Sequence, residues 1–426
     1  MKIAVIGGGY TGLAATYYLS QKGVEVILFE KEKNLGGLAM SFKDKNWQWS
    51  LEKFYHHIFA SDQEILELAE RVNCPLIFTR PKTSIFYAGT KSPFDSAQDL
   101  LFFPHLPLTD RLRTGAMILF LKIVNNWRPL EKITAEKFIR RIAGELSWKI
   151  IWQPLFKAKF DQQAGKIPAA WFWARIKKRG NRFRYPKGGF ANLTTAIVKA
   201  AKTKGAKFLL RREVKSIKLK KDKIIIKTDH EVIEDFDKVI CTLPGNLFVK
   251  IAPRLPVAYA KKLTSLEGRA ALVLVLGLKR KFLTDGTYWL NVNDETFPFI
   301  GVIEQTNYMP KKRYGNDHLI YLVKYLPINH PFFHADKQFL IKKFYPFLKK
   351  INPAFTQAWI KKSWLFKAAF AQPIMTLNYS QKIPAFVTPI KNIYLANMQQ
   401  VYPWDRQTNY AVELGKKISE IVSKSS

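Results

Sequence analysis

Cysteine is nearly missing from this 426-residue chain: Cys74 and Cys241 stand far apart, and neither belongs to a CxxC pair. That excludes a disulfide framework and argues against a thiolate zinc site, so no metal is expected. It also suits a reducing cytoplasm. Long apolar runs are missing too. Gly115-Ala-Met-Ile-Leu-Phe-Leu121 stops at Lys122, far short of the roughly twenty residues that a spanning helix needs. No charged leader stands before the first apolar run, so no targeting peptide is expected. Acidic residues are scarce, with 33 Asp and Glu against 69 Lys and Arg, a formal charge of +36. Between Lys199 and Lys227, twelve basic residues oppose only Glu213 and Asp222. The charge is spread along the chain and no nucleic-acid module accompanies it, so no specific nucleic-acid partner is expected. Two readings remain for it: ordinary decoration of the surface, or a weak, salt-sensitive association with an anionic membrane surface at the cytoplasmic side. Nothing in the sequence sets the oligomeric state.

What is present begins at once. Lys2-Ile-Ala-Val-Ile-Gly7-Gly8-Gly9-Tyr10-Thr11-Gly12 runs an apolar strand into a glycine turn, and Val24–Phe29 is a second apolar run closed by Glu30. Continuous apolar runs suit parallel strands buried on both faces. Gly7 permits the tight turn, Gly9 the approach of a pyrophosphate, and Gly12 close helix–sheet packing. Glu30 is spaced to accept hydrogen bonds from a ribose and to disfavour a 2′-phosphate. A second glycine pair follows at Gly36-Gly37-Leu38. A simple NAD domain has no need of it. A flavin reaches past its pyrophosphate and needs a second backbone segment to come close, which glycine allows.

With that pair the chain resembles the flavin-containing amine oxidase superfamily, and in particular its protoporphyrinogen-oxidase-like branch. The resemblance recurs along nearly the whole length. Tyr185-Pro-Lys-Gly188-Gly189-Phe190 resembles the mid-chain glycine pair that opens a helix, and Glu213–Ile217 the strand whose Val214 contacts adenine. Asp237–Pro244 resembles the strand and turn that return to the cofactor. Ile393-Tyr-Leu-Ala396-Asn397-Met398 and Asp405-Arg-Gln-Thr-Asn409-Tyr-Ala411 resemble the segments that seat the flavin. The resemblance implies FAD held non-covalently, with Asn397, Met398 and Asn409 among its contacts; no cysteine near the C-terminal segment is available for a thioether. Two departures stand out. Ala396-Asn397 replaces a glycine and an acid, and Gln407 replaces a glycine.

The resemblance also sets the layout. Residues 1–50, 186–245 and 388–426 would assemble one Rossmann-like α/β FAD/NAD(P)-binding domain. Residues 51–185 and 246–387 would form an inserted α+β substrate domain, a mixed sheet covered by helices. Residues 111–127 and 134–163 read as helices, and Ala270–Gly277 and Leu319–Tyr325 as strands of one sheet.

Candidates for chemistry are few, because a flavin carries the redox step itself. Glu52-Lys-Phe-Tyr-His56-His57 ends where related flavoproteins set a histidine beside the ring, and a histidine there suits a hydrogen bond to substrate or proton transfer near neutral pH. The alternative is that one or both rings stack on aromatic neighbours and only shape the pocket. Arg175, in Ala169-Ala-Trp171-Phe-Trp173-Ala-Arg175, supplies a guanidinium group for an anionic small-molecule substrate, and Arg406 serves that substrate, the cofactor or only Asp405. His57, Arg175 and Arg406 are therefore the catalytic candidates. The expected function is FAD-dependent oxidation of a C–N or C–C bond of a small organic substrate. The alternatives are a flavin-dependent sugar mutase resembling UDP-galactopyranose mutase and a non-catalytic FAD-binding protein.

Overall fold

The computed structural model describes residues 1–424. Five parallel strands form its first sheet, in the order Lys207–Leu210, Glu25–Glu30, Lys2–Ile6, Lys238–Cys241, Ile393–Leu395. The apolar run at the start of the chain explains the central position of Lys2–Ile6. Ile3 and Val5 pack into one cluster with Leu13 and Ile197 of the helices Tyr10–Gln21 and Phe190–Lys202. Ala4 and Ile6 point the other way, into a cluster with Ile224 and Phe236 of a three-stranded antiparallel sheet. Both faces are thus covered, as a parallel sheet requires. Both neighbours of Lys2–Ile6 follow it in the sequence, Glu25–Glu30 on one side and Lys238–Cys241 on the other, so the chain leaves this strand in opposite directions and the turn at Gly7 opens at a topological switch point.

A seven-stranded mixed sheet lies beyond. Its order is Ile360–Pro373, Gly268–Leu278, His318–Leu326, Gly301–Glu304, Thr287–Val292, Lys82–Tyr87, Thr90–Pro93. Val273 stands opposite Val323 in an antiparallel register, so the two strands read from sequence are direct neighbours. Alternation along Gly268–Leu278 splits its side chains. Leu272, Leu274 and Leu276 pack with Leu340, Phe344 and Leu348 of the helix Lys337–Ile351. Ala271 and Val273 face the other way, where they line the large cavity.

The helical reading of 134–163 needs correction. Ala135–Ala143 is a helix that stops at Gly144, whose φ of +97° leaves the right-handed region. The Asp110 carboxylate lies about 3.1 Å from where a Cβ on Gly144 would be. The chain then resumes through Glu145–Ser147, a wide turn at Trp148–Trp152 and the helix Gln153–Phe160. The first reading, 111–127, corresponds to a helix over Leu108–Ile123 that ends where Val124 turns extended. Among the described residues no helix is long and apolar enough to cross a membrane.

One buried acid ties these parts together. Glu52 accepts hydrogen bonds from the Tyr185 hydroxyl (2.9 Å) and from Phe190 N–H (2.8 Å), the first residue of its helix, while its own carbonyl accepts from the Tyr321 hydroxyl (2.8 Å). Burial pushes the Glu52 carboxyl up to about 7. The folded state therefore keeps a proton that the unfolded chain releases near pH 4.5. Its stabilising share is complete below that pH and is lost as pH rises through 7. In E52Q the amide never titrates, so wild type should lose about 1–3 kcal/mol relative to E52Q between roughly pH 5 and pH 8. Parallel melting-temperature profiles of the two proteins measure it, and superimposable pH slopes would contradict it.

Candidate functional site

The strand Lys2–Ile6 ends in a turn that side chains would block. Gly7 has φ +105°, and its N–H donates to Phe29 O (2.9 Å). A Cβ on Gly12 would collide with the Gly7 carbonyl oxygen, so Gly12 sets how closely the helix Tyr10–Gln21 approaches the strand. It lies behind the cavity; Gly7, Gly8 and Gly9 line it. Gly9 is the N-cap and has no side chain to cap the helix. A Cβ there would meet only Gly37 Cα, at 3.8 Å, and would otherwise project into open space. The uncapped N–H groups of this helix start offer a positive dipole end to an anion.

The second glycine pair is fastened to the first. Gly36 N–H donates to Gly8 O (2.8 Å), and a Cβ on Gly37 would fall 2.9 Å from Gly9 Cα. Glu30 closes this end. Its carboxylate accepts from Gly8 N–H (2.7 Å) and Glu32 N–H (2.9 Å), and its carbonyl accepts from Arg212 N–H (2.9 Å), which brings Val214 alongside. Glu30, Gly36, Gly37, Leu38 and Val214 all line one cavity of about 1100 Å³. Asn397 and Met398 line it further along. The Asn397 amide is already engaged, donating to Leu243 O (2.9 Å) and accepting from Gln399 N–H (2.9 Å). Gln407 is on the same wall. Asn409, expected at the cofactor, does not line the cavity. Its side-chain oxygen accepts from Ile65 N–H (3.2 Å), joining the last helix to the helix Gln63–Arg71.

At its other end the cavity meets the seven-stranded sheet and becomes aromatic and cationic. His57, Arg175 and Arg406 all line it, with Tyr55, Trp289 and Tyr325. The His57 ring stacks on Phe183, centroids 4.3 Å apart, with the Tyr288 hydroxyl 3.5 Å from Nδ1. Burial pushes His57 down to about 3 and His56 to about 4. His56 Nδ1 lies 2.6 Å from Phe54 O, which fixes that nitrogen as the protonated one. The idea of a histidine titrating near pH 7 is thereby corrected: the aromatic packing keeps both rings neutral, and they act as hydrogen-bonding groups.

The charges converge on Asp405. Its carboxylate pairs with Lys159 (2.9 Å) and Arg175, and it accepts from Trp171 Nε1–H (3.3 Å), Gln372 (3.4 Å) and Arg406 N–H (3.0 Å). The Arg406 guanidinium donates to Gln372 Oε1 (2.9 Å) and to the Tyr325 hydroxyl. The adjoining cations hold Asp405 well below the usual carboxylate range despite its burial, whereas burial and Arg175 push Lys159 down to about 7. Two basic side chains, Lys159 and Arg175, share one carboxylate, and Arg406 reaches it through its backbone N–H. Sequence reading missed Lys159, Tyr325 and Gln372. Lys159 is one of many lysines in its segment, Tyr325 stands on a largely apolar strand, and Gln372 on one that also carries Lys361, Lys362 and Lys367. Complete burial is what sets Gln372 apart from those lysines, and no spacing in the sequence signals it.

Replacing Glu30 with alanine should weaken FAD retention by roughly 1.5–3 kcal/mol, the worth of a charge-assisted hydrogen bond. Gly9→Val should abolish it by filling the cradle. Fluorescence titration of apoprotein measures both, and wild-type affinity in both variants would move the cofactor elsewhere.

Comparison with known proteins agrees with this geometry. The flavin-containing amine oxidase A of Sus scrofa is 21% identical over 342 residues, covering 71% of this chain and 62% of its own. The chain therefore spans less than two thirds of that relative's length. A candidate protoporphyrinogen oxidase from Exiguobacterium sp. 255-15 has the same fold, with a TM-score of 0.79, 16% identity, and coverage of 100% of this chain and 99% of that one. Reduced UDP-galactopyranose mutase superposes with a TM-score of 0.78 at 17% identity, over 100% of this chain and 96% of its own. The family model of flavin containing amine oxidoreductases matches residues 10–409, nearly the whole chain, and the protein belongs to that family.

Proposed function

We propose that the protein is an FAD-dependent oxidoreductase that removes a hydride from a C–N or C–C bond of a small organic substrate bearing an anionic group. The observation that carries the reading is the single cavity joining the glycine cradle to the aromatic and cationic chamber. The cradle fits FAD: Gly7–Gly9 and Gly36–Gly37 leave room for a pyrophosphate, Glu30 suits a ribose, and the cavity continues past that point to Asn397 and Met398. Non-covalent binding accords with Cys74 and Cys241, which are both buried and off the cavity wall. Bound FAD supplies the two-electron acceptor.

The remaining work falls to the chain. Tyr55, Trp289 and Phe183 exclude water from the reacting bond, and Tyr55 meets Trp289 edge-on at 4.8 Å. Neutral His57 offers a hydrogen bond without charge. Lys159, Arg175 and Arg406 favour a carboxylate or phosphate on the substrate, and they disfavour a cationic amine by like-charge repulsion in a site of low dielectric. Asp405 keeps the Arg175 guanidinium in place, and Gln372 with the Tyr325 hydroxyl keeps that of Arg406, so Arg175 and Arg406 bind and orient the substrate.

Anaerobic flavin bleaching tests this. Anionic amines or acids should reduce the flavin faster than cationic amines of the same skeleton. R406A should keep FAD and raise KM at least about tenfold, the loss expected when a charge-assisted contact goes. Equal reduction by cationic substrates would overturn the anionic assignment. Turnover of a UDP-sugar that needs prior flavin reduction but consumes no acceptor would replace the oxidase reading with the mutase one.

A further inference from the structure

The helix Leu108–Ile123 buries only Thr114, Met117 and Leu121. Its opposite face carries Leu108, Leu112, Ala116, Leu119 and Ile123, spaced as one helical stripe and all exposed. Leu112 is 58%, Leu119 60% and Ile123 67% exposed. The preceding segment extends the row with Leu101 and Phe102, the latter 68% exposed. Single exposed leucines are ordinary, but a contiguous apolar row on a folded surface marks an interaction site.

Its flanks are basic. Asp110 is the helix's one acid, against Arg111, Arg113 and Lys122. Arg111 bonds the carbonyls of Leu101 and Leu106, and Arg113 those of Arg141 and Ile142. Those partners are neutral, so neither guanidinium charge is cancelled by them. At the far end of the helix, Lys122 Nζ donates to Arg179 O (2.9 Å), and Lys177 Nζ donates to Val124 O (3.0 Å). Lys122, Lys177, Lys178, Arg179 and Arg182 there line a surface pocket of about 460 Å³ with no carboxylate in its wall.

We propose that this face docks on an anionic lipid bilayer, with Leu108–Ile123 lying in the plane of the interface. Its apolar row would enter the acyl boundary while the basic flanks and the cationic pocket meet lipid phosphates. Charge complementarity selects this occupant. A second copy of the chain would set like charges against each other on a molecule of net charge +36. Nucleic acid would leave the row of aliphatic side chains without a partner. The docking has a consequence for access. Phe59, Lys178 and Arg179 line both the cationic pocket and the large cavity, so docking turns that side of the cavity towards the headgroups. A substrate with an apolar body and an anionic head would then enter from the bilayer. The docking itself does not rest on the flavin reading.

Co-sedimentation of the purified protein with vesicles tests it, using phosphatidylcholine alone or mixed in equal parts with phosphatidylglycerol. The protein should pellet with the mixed vesicles at about 0.1 M salt and do so less as salt rises. Leu112→Glu combined with Leu119→Glu should cut vesicle binding by roughly tenfold or more, with flavin content and melting temperature unchanged. If that pair fails to fold, the milder Leu112→Ser with Leu119→Ser should still weaken binding. Three results would overturn the proposal: no association even at low salt, full binding by a folded variant, or a wild-type dimer that the substitutions make monomeric without any vesicle binding.

Discussion

The contact on which the site depends is backbone against backbone: Gly36 N–H on Gly8 O, with Gly37 Cα packed close to Gly9 Cα. It locks the segment after the second strand onto the turn after the first. That leaves the start of the helix Tyr10–Gln21 facing a cavity with no side chain in the way. Neither segment could be replaced by residues with a Cβ without opening the pair. A Cβ on Gly12 would push the helix from the strand, and one on Gly37 would push the two loops apart. The parallel sheet beneath supplies what the loops cannot, a rigid edge at the point where strand order reverses. Carboxylate and dipole then become useful, because Glu30 and the helix start are held in fixed positions around one space.

The opposite end of the cavity relies on electrostatics, where one carboxylate organises several cations. Asp405 is buried, and its ionised form persists because Lys159, Arg175 and the N–H of Arg406 surround it. Such a cluster is seldom a net source of stability, since desolvating every charge costs about what the pairing returns. Its value is positional. Arg175 comes from the helix Ala169–Lys178, Tyr325 and Gln372 from two strands of the seven-stranded sheet, and Asp405 and Arg406 from the segment before the last helix. The cluster fixes these stretches against one another beside the cavity and leaves an excess of positive charge there.

The cradle was legible in the sequence because its physics is local. Gly7, Gly9, Gly12 and Glu30 lie within a strand–turn–helix–strand unit, where spacing alone determines geometry. The strands Gly268–Leu278 and His318–Leu326 were legible for a similar reason, since unbroken apolar runs leave little choice. The chamber was not. Lys159 meets Asp405 across 246 residues, and no spacing rule spans that distance. His57 was found by position but misjudged in state: the rings that bury it, Phe183 and Tyr288, come from other segments, and a sequence does not show desolvation. Asn409 was misplaced for the converse reason. Its motif was right for a helix start, yet the side chain is taken up by Ile65 N–H. Gly144 likewise broke a helix that periodicity had joined, because its φ of +97° lies outside the right-handed region and a side chain there would press on Asp110.

One short segment connects the buried and the exposed charge. The helix Ala169–Lys178 turns Trp171 and Arg175 inward to Asp405, while Lys177 and Lys178, two and three residues on, reach the outer surface beside Leu108–Ile123. Two residues on, Lys177 stands about 160° round the helix from Arg175, whereas Lys178, three on, stays near the Arg175 face one turn further out and lines both the large cavity and the cationic pocket. In the proposals above, the inward set selects the ligand charge of the chamber and the outward set the surface that the molecule approaches. Because both sit on one rigid element, a shift that moved Arg175 from Asp405 would also move the lysines around the cationic pocket. Through Arg175, Lys177 and Lys178 this helix contributes to both excesses of positive charge, together with Lys159 and Arg406 inside and Lys122, Arg179 and Arg182 outside, so an anionic group would meet a favourable field at the exterior and again in the ring-lined interior.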